Sequence, residues 1–555
     1  MTKVQAILLI SLFLIIKSRN LKNSNKKYDL IIIGGGLAGI TAAYEADQKS
    51  NQKLRIALIE QLSSLGGNSK RATSGINFLE TDPQKLSKIE DNYTLFYKDT
   101  MKSGKNINDP QLVDTFAKGK KKLYDYYIKN FDMDMKLLGQ LGGHSVARTH
   151  RPTDSNFVIG FYLVKKISDK LKDIKNLKIY YNSTVIKLLK NETNNRIYGL
   201  KYKKKNDPNE YTIYCDAIIL TSGGFGHDFG ENGFLKQYVP SIMKFPSTNG
   251  QQSRGSGIRL GKEIGADLVD MDKVQVHPTG FINPKDRYAK DKFLAPELLR
   301  GVGGILVNEN GDRFCNELGT RDYVTNKIRE NCKKQNTDIL DQYECFLFMN
   351  DEMAKEFGNN FDYYKNVKGF IQEYKNFSEL AKNINVNYSK LEKTINSYNN
   401  AYEKKIDKYN KTTFPYKFDL NKKVYSMVIA PSIHYTMGGL RINKKGEVLN
   451  SNDNIIYGLY AAGEVTGGVH GGNRLGGNSL AECGVFGRIV AESSVAYILN
   501  KGNIGNITII KKGSILGSIG IGVLFEIFIA GAFALNCYQR DGCFNSNNLG
   551  NNYLL

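Results

Sequence analysis

Six side chains of the 555-residue sequence have the chemical types needed to bind and protonate a small anion. In chain order they are His277, Glu297, Arg300, Arg321, His434 and Arg474. Arginine and histidine can bind carboxylates and stabilise negative charge that develops during a reaction, most strongly in a closed site where charges are poorly screened. Histidine and glutamate can also transfer protons. Taken singly, each arginine is more often a surface ion-pair partner, so the surrounding segments have to decide.

The segment around Arg474, residues 462–479, is rich in glycine. It reads Ala-Gly-Glu-Val-Thr-Gly-Gly-Val-His and then Gly-Gly-Asn-Arg-Leu-Gly-Gly-Asn-Ser. Glycine removes Cβ atoms where the backbone must touch a flat ligand, and Arg474 supplies a planar fork of donors that suits a carboxylate. We therefore expect this segment to contact a ligand.

The N-terminal part has the pattern of a dinucleotide-binding unit. Residues 29–33 read as a buried parallel strand, the glycine-rich turn 34–39 follows, and residues 40–46 read as a helix. A second strand, 55–59, ends on Glu60, about 20 residues past Gly39, where an acid can bind ribose hydroxyls. In this pattern Gly34 makes the turn, Gly36 lets the backbone approach a pyrophosphate, and Gly39 lets the helix pack on the strand.

Two later segments extend this unit and predict the domain organisation. A strand at 217–220 leads into the turn 221–226, and residues 462–479 supply a third contact, so the nucleotide domain must be discontinuous. We predict an α/β fold with a Rossmann-like domain in two parts, 28–271 and 436–500. An α+β clamp domain, 272–435, is predicted to be inserted between them.

The glycine-rich segment 462–479 resembles the signature of soluble fumarate reductase flavoproteins, in the wider family that includes the flavoprotein subunit of succinate dehydrogenase. The resemblance covers about residues 28–500 and implies that FAD is the cofactor and that fumarate is reduced to succinate. It implies that His434 and Arg474 hold one substrate carboxylate and that His277 helps to hold the other. Arg321 would donate the proton, with Glu297 and Arg300 relaying protons to it. Some family members have threonine directly before the glutamate, where this chain has Pro296.

The same resemblance implies a set of FAD contacts. They are Gly34, Gly36, Ala38, Gly39, Glu60, Gly67, Asn68, Ser69, Thr73, Ser74, Gly75, Gly223, Gly224, Glu464, Asn478, Ser479 and Leu480. Residues 66–77 are similar to the family segment that runs along the flavin, which in the succinate dehydrogenase branch carries a covalently linked histidine. Here the first histidine of the chain is His144, so we predict non-covalent FAD.

Two other functions remain open. The chain could be a related FAD-dependent oxidoreductase acting on another unsaturated acid, or a non-catalytic, membrane-tethered flavoprotein. No haem motif, paired cysteines or appended flavodoxin-like domain is visible, so the electron donor is expected to be diffusible, such as reduced flavin or NADH, or a redox protein.

The composition limits the classes of partner. The formal net charge of +22 comes without a nucleic-acid-binding motif, and we expect it to steer dianionic substrates rather than to bind nucleic acid. The seven cysteines include no Cys-x-x-Cys pair, which argues against a zinc or iron–sulfur site. No metal site is predicted.

The two ends of the chain suggest targeting and membrane attachment. Residues 6–16 form an apolar run within the segment 1–27, which reads as a secretory signal peptide or N-terminal anchor and favours the endoplasmic reticulum, lumen or membrane. A mitochondrial transit peptide is the alternative, since no acidic residue precedes Asp29. In the C-terminal extension 501–555, residues 513–538 are long and apolar enough for one transmembrane helix, although Glu526 lies within them.

Overall fold

The computed structural model describes residues 28–153, 158–335 and 340–500. The chain divides into two compact units, residues 1–495 and 496–555. Of the second unit the structure describes only residues 496–500, which are helical. The predicted N-terminal signal segment and the predicted membrane span lie outside the described residues. No helix among the residues that are described has both the length and the apolar character of a membrane span.

A nine-stranded sheet forms the nucleotide-binding half of the first unit. Its main path runs Leu177–Tyr180, Ile56–Ile59, Leu30–Ile33, Ala217–Leu220, Ile455–Ala461, Arg196–Lys204 and Ser183–Asn191, with Glu447–Leu449 and Glu210–Tyr214 pairing at its side. The first five strands are parallel. Three of these strands, Ile56–Ile59, Leu30–Ile33 and Ala217–Leu220, are buried at every position, as expected of parallel strands covered on both faces.

A six-stranded antiparallel sheet lies in the region of the predicted insert. Its path runs Phe293–Leu294, Val274–Phe281, Val424–Thr436, Cys345–Met349 and Ile305–Val307, with Gln372–Tyr374 paired to the long strand Val424–Thr436. The core around it is rich in phenylalanine, leucine and isoleucine. Two smaller sheets are formed by Ile76–Asn77, Thr149–Arg151 and Leu137–Gly139, and by Leu268–Val269 with Gly439–Leu440.

The helices connect and cover these sheets. They are Leu37–Lys49, Asp82–Leu86, Tyr93–Ser103, Pro110–Phe131, Ile159–Leu171, Phe234–Tyr238, Ser256–Glu263, Leu298–Gly301, Arg321–Asn331, Asp351–Phe357, Asn360–Asp362, Phe377–Asn383, Tyr388–Lys404 and residues 478–495. Single turns occur at Ser69–Arg71, Pro240–Ile242 and Tyr363–Val367. Asp109 caps the helix Pro110–Phe131 by accepting hydrogen bonds from two free backbone N–H groups of its first turn, and Pro110 follows at the first helical position.

The structure agrees with the predicted nucleotide-binding unit at the level of elements. The predicted strands correspond to Leu30–Ile33, Ile56–Ile59 and Ala217–Leu220, while the first helix begins at Leu37, three residues before the predicted start. The α/β class with a parallel sheet and a capping layer is confirmed. The domain boundaries at 271, 435 and 500 stay a prediction.

Candidate active site

One cavity is lined both by the glycine-rich turns and by the predicted catalytic side chains. Of the residues predicted to contact a cofactor, it is lined by Gly34, Gly36, Ala38, Glu60, Gly67, Asn68, Ser69, Thr73, Ser74, Gly75, Gly223, Glu464, Ser479 and Leu480. Of the residues predicted to contact substrate or donate the proton, it is lined by Arg321, His434 and Arg474. Segments that are far apart in the sequence thus line the same cavity.

The turn 34–39 has the features that a pyrophosphate requires. The helix Leu37–Lys49 has Gly36 as its N-cap, with no side-chain cap and no acidic residue in its first turn. Gly34 has a φ of +105°, and a Cβ there would lie 2.5 Å from the carbonyl oxygen of Thr221. Helix N-termini with free N–H groups bind phosphate through those groups and the helix dipole.

Other glycines leave space for a flat ligand. A Cβ on Gly67 or on Gly223 would meet no atom within 4 Å, and both residues have positive φ, +47° and +77°. Both line the cavity. Together with the uncapped helix this open cradle fits a dinucleotide such as FAD.

Glu60 and Asn68 are held in place at the cavity wall. The Glu60 carboxylate accepts hydrogen bonds from the backbone N–H of Gly35 at 2.7 Å and of Leu62 at 2.8 Å, while burial raises its pKa. The Asn68 amide donates to Asn249 and to the Ser253 hydroxyl, both at 2.8 Å. No residue of 66–77 is a histidine, cysteine or tyrosine, so this segment offers no side chain for a covalent flavin link.

Three predicted cofactor residues do not line the cavity. A Cβ on Gly39 would lie 1.9 Å from the carbonyl oxygen of Gly34, so this glycine permits close packing of helix on strand. A Cβ on Gly224 would lie 2.0 Å from the Thr436 hydroxyl. Asn478 is fully buried, and its side-chain oxygen accepts a hydrogen bond from Lys120 at 2.9 Å.

Arg321 and Glu297 form a buried ion pair at the centre of the catalytic group. Arg321 is the first residue of the helix Arg321–Asn331, and its Nε and Nη2 both lie 2.8 Å from Glu297 Oε2. The other oxygen of Glu297, Oε1, accepts from the backbone N–H of Gly142 at 2.8 Å. Burial would raise the pKa of Glu297, but the positive charges of Arg321 and Arg300 lower it to about 2, so this carboxyl is ionised.

Arg300 lies on the far side of Glu297. It belongs to the single-turn helix Leu298–Gly301, for which Glu297 is the N-cap, and it is completely buried. Its Nη1 donates to the carbonyl of Glu317, and its Nη2 lies 3.9 Å from Glu297 Oε1. Nε and Nη2 of Arg300 have no hydrogen-bond partner within the described chain. The 3.9 Å between Arg300 Nη2 and Glu297 Oε1 is too long for a hydrogen bond. A proton relay between these two side chains therefore requires them to move closer together.

The two predicted substrate histidines are neutral, and His277 is buried while His434 is partly exposed. His277 and His434 have ring centroids 5.0 Å apart, and burial, followed by the charge of Arg321, lowers the pKa of each well below its usual value. The backbone N–H of Thr279 donates to His277 Nδ1 at 3.1 Å. His277 Nε2 has no hydrogen-bond partner among the residues described and lies 3.8 Å from Glu297 Oε2.

Arg474 is a buried cation without a carboxylate partner in the described structure. Its guanidinium carbon lies 4.2 Å from the ring centroid of Tyr435, and its Nη1 donates to the Leu475 carbonyl at 3.2 Å. Its Nε has no hydrogen-bond partner in the part of the chain that is described. Burial, followed by the charge of Arg321, lowers its pKa to about 10, so it stays protonated at neutral pH.

The structure adds side chains to this group that the sequence interpretation missed. Gln275 accepts a hydrogen bond from Arg321 Nη1 at 2.7 Å, and the Thr248 hydroxyl lies 2.7 Å from His434 Nδ1. Gln275 precedes His277 by two residues in a strand, a spacing that places side chains on one face and could have indicated it. Thr248 and the N–H of Gly142 lie in no recognisable motif.

Glu464 differs from the other acids of the cavity. Its Oε1 accepts hydrogen bonds from the backbone N–H and the hydroxyl of Thr436 at 3.0 and 3.3 Å. Burial raises its pKa to about 7, so it is partly protonated at neutral pH. Within the described residues no group of three or more histidine, cysteine, aspartate or glutamate side chains is arranged to hold a metal ion.

Comparison with known proteins identifies a family and similar proteins. The family model described as FAD binding domain matches residues 29–480. The chain is 40% identical to fumarate reductase 1 of Saccharomyces cerevisiae over 84% of its own length and 98% of that protein. It is 35% identical to the fumarate reductase of Schizosaccharomyces pombe, covering 85% of this chain and 90% of that one. The open conformation of a flavocytochrome c3 fumarate reductase superposes with a TM-score of 0.65 at 29% identity, covering 85% of this chain and 79% of that chain.

Proposed function

The chain belongs to the FAD binding domain family and to its fumarate reductase flavoproteins, and from this premise we propose that it is an FAD-dependent enzyme that reduces fumarate to succinate. The observation that carries the proposal is the charge of the six predicted site residues. Three arginines and one carboxylate, with both histidines neutral, leave an excess of two positive charges. A substrate with two carboxylates neutralises that excess, whereas a monocarboxylate leaves one charge buried without a partner.

The free donors of the site support a division of labour between the two carboxylates. Arg474 Nε has no hydrogen-bond partner among the described residues and His434 lines the same cavity, so these two side chains are proposed to hold one carboxylate. His277 Nε2 is likewise without a partner in the described part of the chain and is proposed to donate to the other carboxylate. Pro296 brings no hydroxyl, and these donors suffice without one.

Arg321 is proposed to protonate the substrate carbon. Reduced FAD, when bound, supplies the hydride for the neighbouring carbon. The charge of Arg321 stabilises the negative charge that develops on the substrate, and a strongly basic carbon can then take a proton even from a guanidinium. Glu297, which lies 2.8 Å from Arg321 Nε, is proposed to return that proton, and Arg300 is proposed to be the next donor once its 3.9 Å separation from Glu297 shortens.

The test is the oxidation of pre-reduced, FAD-loaded protein under anaerobic conditions. Fumarate should restore the absorbance of oxidised flavin and yield succinate in equal amount, while an unsaturated monocarboxylate of the same chain length should be much slower. Faster oxidation by the monocarboxylate would favour the related oxidoreductase on another unsaturated acid. No oxidation by either would favour a non-catalytic flavoprotein.

The electron donor and the cellular location are proposals from the sequence. The donor is proposed to be diffusible, reduced flavin or NADH, or else a redox protein, and varying the donor in the same anaerobic assay distinguishes them.

Residence in the endoplasmic reticulum and attachment through residues 513–538 are proposed from the two ends of the chain. Deleting residues 505–555 should release active enzyme from carbonate-washed membranes. A full-length protein already in the supernatant would contradict the anchor.

A further inference from the structure

Two buried cysteines flank a short antiparallel pairing next to the helix that begins with Arg321. Cys332 follows the last residue of that helix and has an extended backbone, with φ of −117° and ψ of 149°. Cys345 begins the strand Cys345–Met349 in the middle of the six-stranded sheet. Both are free thiols, 7% and 1% exposed.

The pairing register is fixed by the backbone between them. Lys334 and Tyr343 are antiparallel bridge partners. Two hydrogen bonds flank this pair, from Gln335 N to Gln342 O at 2.8 Å and from Glu344 N to Lys333 O at 3.4 Å. Continuing the register by two residues places Cys332 directly opposite Cys345.

The type of antiparallel pair decides how close the two cysteine side chains lie, and they are closest in a non-hydrogen-bonded pair. The two hydrogen bonds belong to the residues on either side of Lys334 and Tyr343, so these two residues form a non-hydrogen-bonded pair. Extending the register by two residues gives Cys332 and Cys345 the same type of pair. The Cys332 N–H agrees with this, because it donates to Ile328 O within its own helix. In such pairs the Cα atoms are about 4.5 Å apart, within the range of about 4.4 to 6.8 Å that disulfides span. The Cys345 thiol has Cys332 as its hydrogen-bond partner, and burial raises its pKa well above the usual value.

We propose that Cys332 and Cys345 form a disulfide modification site that links the helix Arg321–Asn331 to the interior strand Cys345–Met349 of the six-stranded sheet. The oxidant is a small disulfide such as oxidised glutathione. The thiolate of Cys332, the more exposed of the two, attacks one sulfur of that disulfide and releases one thiol. The thiolate of Cys345 then attacks the mixed disulfide at the Cys332 sulfur and releases the second. Two thiols lose two electrons and two protons, and one glutathione disulfide becomes two glutathiones.

The linkage has two consequences. It constrains the unfolded chain, so the oxidised protein should unfold at a temperature several degrees higher than the reduced protein. It also reports on location, because disulfides persist in the endoplasmic reticulum lumen and are rare in the cytosol. The site does not depend on the proposed reaction, since neither thiol lines the catalytic cavity.

The test is peptide mapping of the full-length, FAD-loaded protein. The protein is incubated with oxidised glutathione, in buffer and in urea just below the unfolding transition, and its remaining thiols are then alkylated. Trypsin cleaves after Arg329, Lys333 and Lys334 and next after Lys355, so Cys332 and Cys345 fall in the separate peptides 330–333 and 335–355. We expect these two peptides to be joined, and to separate after reduction.

Matched variants complete the experiment. Cys332→Ser should abolish both the joined peptide and the rise in unfolding temperature, while Cys215→Ser, at a buried cysteine between the strands Glu210–Tyr214 and Ala217–Leu220, should leave both unchanged. The proposal is overturned if both thiols stay fully alkylatable in both buffers, if glutathione adds to Cys332 without a link, or if Cys345 links to Cys315 instead. The wild-type map decides even if a variant does not fold.

Discussion

Replacing Gly142 by alanine should slow fumarate reduction without removing FAD. Gly142 lies in a loop far from Glu297 in sequence, and its N–H donates at 2.8 Å to the oxygen of Glu297 that faces away from Arg321. A Cβ on Gly142 would lie 2.4 Å from the carbonyl oxygen of Gly319 and 2.9 Å from Glu297 Oε1. The loop must therefore retreat from Gly319 by about 0.6 Å to reach even 3.0 Å, which pulls the N–H away from the carboxylate.

The size of the effect follows from the bond that is lost. A hydrogen bond to a charged group contributes about 1.5 to 3 kcal/mol, which corresponds to a factor of about 10 to 150. If the bond holds Glu297 where it supports Arg321, the rate of proton delivery should fall by about that factor, since small displacements of catalytic groups cost about 100-fold. The binding of dicarboxylates should change less, because the three atoms nearest to the added methyl group belong to Gly319, Glu297 and Leu318 and not to a substrate-binding side chain.

The assay is the single-turnover oxidation of reduced, FAD-loaded variant by saturating fumarate, followed by flavin absorbance. Gly230→Ala is the matched control, because a Cβ there would meet no atom within 4 Å and the residue does not line the cavity. FAD content and unfolding temperature establish that both variants fold. A loaded Gly142→Ala enzyme that keeps its rate within about twofold would refute the role given to this N–H and weaken the relay through Glu297.

Four further outcomes are expected. Arg321→Lys should keep FAD but lose about 100-fold or more of the single-turnover rate, because a lysine cannot reproduce the fork on its partners; a loss under tenfold would count against the proton-donor role. Arg474→Ala should raise the dissociation constant of succinate, measured by flavin absorbance, about tenfold or more, whereas the half-exposed Arg441→Ala should not. Burial lowers the pKa of His144 to about 3 and of His150 to about 4, so the unfolded chain binds their protons first as the pH falls below about 6.5. Stability to urea should therefore fall by about 2 kcal/mol per histidine between pH 7 and 5, and an unchanged midpoint would contradict this. Acid precipitation should leave the flavin in the supernatant; flavin that stays with the polypeptide would show a covalent link.

The nucleotide-binding half of the fold could be predicted from the sequence because its signals are local. The strand Leu30–Ile33 is buried on both faces and so reads as an unbroken apolar run. Gly34 has to be glycine because its φ is +105° and a Cβ would clash with the next turn. The helix start was placed three residues late because the glycine turn and the first helical turn share residues, and element boundaries carry little local signal.

The candidate site was only partly visible in the sequence. The arginines and histidines stand in recognisable strings, so their types and order could be predicted. The sequence by itself thus determined the glycine turns, the parallel sheet and the identity of the cationic side chains. Only the tertiary structure decided which of them meet. Gly142 and Glu297 are 155 residues apart, and Thr248 and His434 are 186 apart, and hydrogen bonds across such distances leave no periodic trace in a sequence. Burial, which no composition records, makes the two histidines neutral and leaves the arginines to set the charge of the site.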